Sequence, residues 1–194
     1  MSTVSYTARG KSISITLCEG VYEPAEDSFL LLDSVRCGRR FLEIGCGTGL
    51  LSIFCAMMGS ESEAVDINPV AVECCLENAR NNGVHVRAYL SDIFDGVNGF
   101  FDTIAFNPPY LPVSESIEGA EQWSGGEDGF SATRRFLDGL PGHLEDDGRA
   151  FLVLSDLTDI NSLIREYPGM EFARLDSRTF DFESIISYEV RMLR

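Results

Sequence analysis

Three glycines stand at alternate positions in L-E-I-G-C-G-T-G, from Leu42 to Gly49, between two apolar runs. The first run, RRFLEI, reads as a strand; the second, LLSIFCAMMG, reads as a buried helix. A strand that turns through glycines into a helix opens a crossover, and crossovers join parallel strands. The alternation continues down the chain. EAVDI reads as a strand, and PVAVECCLENARNNG as a helix with Pro69 in its first turn and Gly83 just past its end. VHVRAYL and FFDTIAF read as strands, and FSATRRFLDGLPGHL as a helix weakened by Gly139 and Pro141. RAFLVLS is a further strand and LTDINSLIREY a further helix. MEFARLDSRTF and SIISYEVRML close the chain as two strands without a helix-length spacer, so they must pair antiparallel. The expectation is α/β: a mostly parallel sheet covered by helices, in a single domain over residues 1–194. Residues 1–38 form an N-terminal segment with a helix in VYEPAEDSFLLLDSV, and residues 39–194 form the sheet core. The stretch 111–129 is long for a loop in a compact domain, which suits a lid or binding loop.

Charge narrows the partners. The chain of 194 residues carries 15 basic and 31 acidic residues, a net charge of −16. Phosphate backbones are bound largely through Lys and Arg. Lys11 is the only lysine and the arginines are scattered, so nucleic acid drops as a substrate. No apolar run approaches the roughly 18 residues of a membrane span, and MSTVSYTARGKSISITL lacks the apolar core of a signal peptide. The expected location is the cytoplasm, with nuclear access. Six cysteines, Cys18, Cys37, Cys46, Cys55, Cys74 and Cys75, show no C-x-x-C spacing. They are expected to be buried reduced thiols, with no metal site.

The glycine spacing is G-x-G-x-G, with Gly45, Gly47 and Gly49 led by Glu43, whereas a dinucleotide loop needs a glycine where Leu50 stands. This suits a small zwitterionic ligand without phosphates. Asp66 ends the second strand, where a carboxylate can accept both hydroxyls of a ribose. Asn68, directly before Pro69, is the better helix cap. Asp92 follows the third strand; its carboxylate can take an adenine amino group while the Ile93 N–H meets a ring nitrogen.

The most specific signal is Asn107-Pro108-Pro109-Tyr110 at the end of FDTIAFNPPY. Each proline fixes its own φ and pushes the residue before it into an extended conformation. A rigid turn results, carrying one amide side chain, the outward Pro108 carbonyl and an aromatic ring. A planar –NH2 has a delocalised lone pair and attacks poorly. Two acceptors on its two hydrogens would aim the nitrogen and favour pyramidalisation as charge develops, and Tyr110 would stack on the planar group.

The order of glycine loop, Asp66, Asp92 and N-P-P-Y resembles the HemK-type release-factor glutamine methyltransferases. VYEPAEDSFLLLD and AEQWSGGEDGFSATRRFL resemble their short eukaryotic and archaeal branch. The likeness covers roughly residues 20–155. It implies a Rossmann-like class I methyltransferase with a seven-stranded sheet in the order 3-2-1-4-5-7-6, strand 7 antiparallel, and helices on both faces. It implies S-adenosylmethionine (SAM) as cofactor, S-adenosylhomocysteine as product, and N5 methylation of the glutamine in the Gly-Gly-Gln loop of a class I translation release factor. By the same resemblance Glu43 and Gly45 would line the methionine part of SAM, Asp66 the ribose, and Asp92 with Ile93 the adenine, with Gly47 and Asn107 as further cofactor-binding positions. Ser28 stands where members often carry Thr near the cofactor. Asn107, Pro108, Pro109 and Tyr110 would hold the glutamine. The branch implies a small zinc-ribbon activator protein along the strand at 84–90, which this order leaves as a sheet edge. The alternatives are adenine-N6 methylation of nucleic acid, protein-lysine methylation, and a non-catalytic SAM-binding partner protein.

Overall fold

The structure is a computed structural model that describes residues 2–109 and 128–193. Tyr110, Trp123 and the acidic stretch 111–127 lie outside the described residues.

The chain opens with a hairpin, β1 (Thr3–Ala8) and β2 (Lys11–Thr16). Its two-residue turn places Arg9 at φ 45° and Gly10 at φ 77°. Two left-handed residues in succession match the twist of the flanking strands. Helix α1 (Glu26–Ser34) follows, with Glu26 and Asp27 at its positive end. Then come β3 (Arg40–Ile44), α2 (Leu50–Met57), β4 (Glu61–Asp66) and α3 (Pro69–Asn81). Asn68 caps α3, its side chain accepting the Val70 N–H at 2.9 Å, and Gly83 turns the chain out at φ 68°. Next are β5 (Val86–Leu90), β6 (Phe101–Phe106) and α4 (Ser131–Gly139). The expected long helix ends at Gly139 and tightens into a 3-10 turn over Leu140–Gly142, because Pro141 cannot extend an α-helix. The chain closes with β7 (Leu144–Ser155), α5 (Ile160–Glu166), β8 (Met170–Thr179) and β9 (Ser184–Met192).

Seven strands form one sheet in the order β5-β4-β3-β6-β7-β9-β8. Counted from β3 this is 3-2-1-4-5-7-6, as the resemblance implies. The five strands β3 to β7 run parallel, and β9 lies antiparallel between β7 and β8. Side chains alternate across the sheet. Phe41, Ala105, Phe151 and Val153 pack on one face with α1, α2, α3 and the hairpin. Leu42, Ile104, Phe106, Leu152 and Leu154 pack on the other with α4 and α5.

The hairpin is held by side-chain amides. Asn82 Oδ1 accepts the Ser14 N–H and its Nδ2 donates to the Ser14 carbonyl. Asn78 does the same for Thr16. Four residues of helix rise about 6 Å and two residues of strand about 6.6 Å, so the two asparagines fit alternate residues of β2. Ile13 and Ile15 then face inward, fully buried.

The cysteines differ from expectation. Disulfides join Cys18 to Cys74 and Cys37 to Cys55, with Cα–Cα distances of 6.2 and 5.2 Å. Cys46 and Cys75 remain free and buried. The pairs are 56 and 18 residues apart in sequence and meet only through tertiary packing, so no short spacing announces them. Among the described residues no helix is long and apolar enough to cross a membrane, and no cluster of metal-ligating side chains occurs.

Candidate functional site

A cleft of about 570 Å³ opens at the carboxyl ends of β3, β4, β5 and β6. That volume falls within the roughly 300–1,000 Å³ of small-molecule sites. Every site residue anticipated above within the described stretch lines it: Ser28, Glu43, Gly45, Gly47, Asp66, Asp92, Ile93, Asn107, Pro108 and Pro109. Tyr110 lies outside the described residues.

The loop between β3 and α2 needs its glycines. Gly45, Gly47 and Gly49 have φ of 63°, 51° and 82°, a region that disfavours other residues. A Cβ on Gly49 would sit 2.5 Å from Cys75 Sγ, so this glycine lets the loop close onto α3. Its N–H donates to the Cys46 carbonyl at 2.7 Å. The Cys46 thiol is pushed up in pKa by its hydrogen bond to Cys75 and by burial, which makes it a packing group rather than a nucleophile.

Acids dominate the walls. Glu43 is buried beneath the loop, where one carboxylate oxygen accepts both the Ser52 N–H and the Ser52 hydroxyl. Burial pushes its pKa up to about 7 despite these bonds. Asp66 Oδ2 accepts the Gly47 N–H and Oδ1 the Asn68 N–H, both at 2.9 Å. It thus fastens the glycine loop to β4, and it retains lone pairs for a ligand. Burial raises its pKa as well. Asp27 enters from α1, with the Tyr22 hydroxyl donating across both its oxygens at 3.1 Å. Burial and this carboxylate hold the Tyr22 pKa well above the ordinary tyrosine value. Asp92 is the fourth acid, and Arg135 is the only basic side chain among the described lining residues.

This set fits SAM. Four carboxylates around one cleft repel a pyrophosphate and attract a cation, and SAM carries both an ammonium and a sulfonium. The glycine loop leaves room for a ligand against its backbone. One polar atom also waits for a partner: Asn107 Oδ1 is buried and has no hydrogen-bond partner among the described residues.

Several lining residues carried no signal in the sequence reading. Val21, Tyr22 and Pro24, from the segment before α1, line the cleft, and Phe106 lies 3.3 Å from where a Gly45 Cβ would be. Asp27 lies within the N-terminal helix segment and was not marked by any spacing as a cleft residue. Arg135 meets Asp92 across 43 residues of sequence, a distance that no local pattern spans.

The family model described as "Methyltransferase small domain" matches residues 25–170. "Putative protein N5-glutamine methyltransferase MJ0928" of Methanocaldococcus jannaschii is 42% identical over 169 residues, covering 84% of this chain and 86% of that one. The "eRF1 methyltransferase catalytic subunit mtq2" of Schizosaccharomyces pombe is 31% identical over 179 residues, covering 75% of this chain and 77% of its own. Among solved structures, the E. cuniculi Mtq2–Trm112 complex, described as responsible for the methylation of the eRF1 translation termination factor, aligns with a TM-score of 0.70 at 21% identity. It covers 89% of this chain and 98% of that one, and at this identity it supports the fold.

Proposed function

The chain belongs to the methyltransferase small domain family, and we propose that it methylates the N5 amide nitrogen of a protein glutamine, the one in the Gly-Gly-Gln loop of a class I translation release factor. The observation that carries this reading is the buried Asn107 Oδ1, without a hydrogen-bond partner among the described residues, on a double-proline turn at the cleft. A buried acceptor without a partner costs about 1–3 kcal/mol. A substrate N–H recovers that cost on binding.

Bound SAM supplies an electrophilic methyl group on a sulfonium. Glu43 and Gly45 would hold its methionine end, Asp66 its ribose hydroxyls, and Asp92 with the Ile93 N–H its adenine; Gly47 and Ser28 stand at the wall beside them. Asn107 Oδ1 and the Pro108 carbonyl each accept one hydrogen of the substrate amide. Together they aim the nitrogen lone pair at the methyl carbon, and they stabilise the positive charge that grows on nitrogen. Pro109 keeps Pro108 extended. The acidic walls favour cationic charge throughout the transfer. The proton leaves afterwards, since an N-alkylated cationic amide is strongly acidic, so no strong base is required. An adenine amine presents the same planar group, but the charge of −16 repels its phosphate backbone.

A small zinc-ribbon activator would add along residues 84–90. β5 is the last strand on that side of the sheet, and its outer backbone groups are open to strand addition. Activity on a translation factor supports a cytoplasmic location. The reading is tested by incubating the chain and a candidate activator with methyl-labelled SAM and a release factor. Label should enter the wild-type factor and not one with that glutamine changed to alanine. Equal labelling of both would refute it.

A further inference from the structure

Asp92 is gripped from outside its own loop. Arg135 Nη1 donates to Asp92 Oδ1 at 3.0 Å, and Nη2 lies 2.9 Å from Oδ2. This is the two-pronged arrangement that fixes the plane of a carboxylate. Arg135 stands on α4, which brings it to the cleft wall with Ser131 and Ala132. The other side of the corner is pinned by Ser91, whose hydroxyl donates to the Ile93 carbonyl at 3.0 Å and accepts the Gly96 N–H at 2.8 Å. Ile93 is held there at φ 53°, an unusual conformation for a β-branched residue. Two elements distant in sequence therefore set one short edge of the cleft: Asp92 as acceptor, and the Ile93 backbone beside it.

We propose that Arg135 is a positioning residue that makes the cleft select a purine with an exocyclic amino group over one with an exocyclic oxygen. The inference rests on the reading of the cleft as the SAM site. An ionised carboxylate only accepts hydrogen bonds. With one lone pair of each Asp92 oxygen committed to the guanidinium, the remaining acceptor direction is fixed in space. An amino group can donate to it, whereas an oxygen meets it with repulsion and leaves it unpaired. A site built to hydrogen-bond one group discriminates strongly against an analogue that lacks it. Both partners are partly exposed, so the pair contributes little stability by itself. Its effect is geometric: without the guanidinium, Asp92 rotates and the distinction between the two purines fades.

The test is calorimetric titration of S-adenosylhomocysteine and its 6-oxo counterpart, S-inosylhomocysteine, into the wild-type chain and into R135A, R135K, D92A and the R135A/D92A double variant. Melting curves without ligand check that each variant is folded. The wild type should prefer the adenosyl ligand. R135A should cut that preference about tenfold or more, mainly by weaker binding of the adenosyl ligand, and R135K should restore part of it. The double variant should be no less selective than D92A, because Arg135 acts through Asp92. A folded R135A with the wild-type preference overturns the proposal and leaves the SAM reading intact. A wild type that binds neither ligand overturns both.

Discussion

Asn107 and Glu43 are both buried polar groups at the cleft, and each is tuned by what it lacks. Asn107 Oδ1 has no hydrogen-bond partner among the described residues, and its removal should therefore cost the empty protein little. Asn107→Ala is expected to melt at or above the wild-type temperature and to bind SAM with unchanged affinity. Its turnover should fall about 10²–10³-fold, the usual effect of deleting one preorganised polar group at a reacting centre. Calorimetry beside a methylation assay separates these effects, and lost SAM affinity would contradict the assigned role. Glu43 titrates at about 7 in the folded chain, above the ordinary carboxylate value of 4.5, because burial disfavours its charge. The folded state thus holds a proton that the unfolded state releases. This stability is fully present below about pH 4.5 and is lost as pH rises through about 7. Urea unfolding of the ligand-free chain between pH 4 and 8 should show that decline, and Glu43→Gln should flatten it. SAM, whose ammonium favours the carboxylate, should bind more tightly as pH rises through the same window. The places of Glu43 and Asn107 at the cleft were legible in sequence because each stands at a strand end beside a glycine or proline turn. Arg135 was not, because an arginine in a helix has no local mark of what it reaches.

The strands and helices of the sheet were legible for the same kind of reason: period-2 and helical patterns alternate, with Pro69, Gly83 and Pro141 marking ends. The opening hairpin was not read. S-I-S-I-T alternates for only five residues, and what fixes it lies more than sixty residues away in α3. Asn78→Ala should therefore orphan both the N–H and the carbonyl of Thr16 from their bonds to this side chain. At about 1–3 kcal/mol for each buried group left unpaired, the midpoint of urea unfolding should drop clearly. A variant at exposed Glu77 on the same helix should not move it. No change in Asn78→Ala would mean that water replaces the amide and that the hairpin is held by Ile13 and Ile15 alone. The disulfides escaped the sequence reading in the same way, since Cys18 meets Cys74 only after the segment following the hairpin has crossed α3.

At the scale of the whole molecule, the strand order and the crossovers bring four strand ends and the acids Glu43, Asp66 and Asp92 to one edge, with Asp27 of α1 beside them. That convergence follows from topology, so it could be anticipated from the order of motifs along the chain. The place of Val21, Tyr22 and Pro24 in the cleft wall could not, because no local pattern marks these three residues as lining a cleft. A chain of charge −16 with an acidic cleft suits a cationic cofactor and a basic acceptor segment. The account depends on two oxygens taking the two hydrogens of one amide nitrogen. The most direct measurement is a structure of the chain with S-adenosylhomocysteine and a peptide carrying the acceptor glutamine. The account predicts the glutamine side-chain nitrogen within about 2.7–3.2 Å of both Asn107 Oδ1 and the Pro108 carbonyl oxygen, with its open face toward the sulfur. An Asn107 side chain turned away from the sulfur, or a glutamine nitrogen bonded elsewhere, would contradict it.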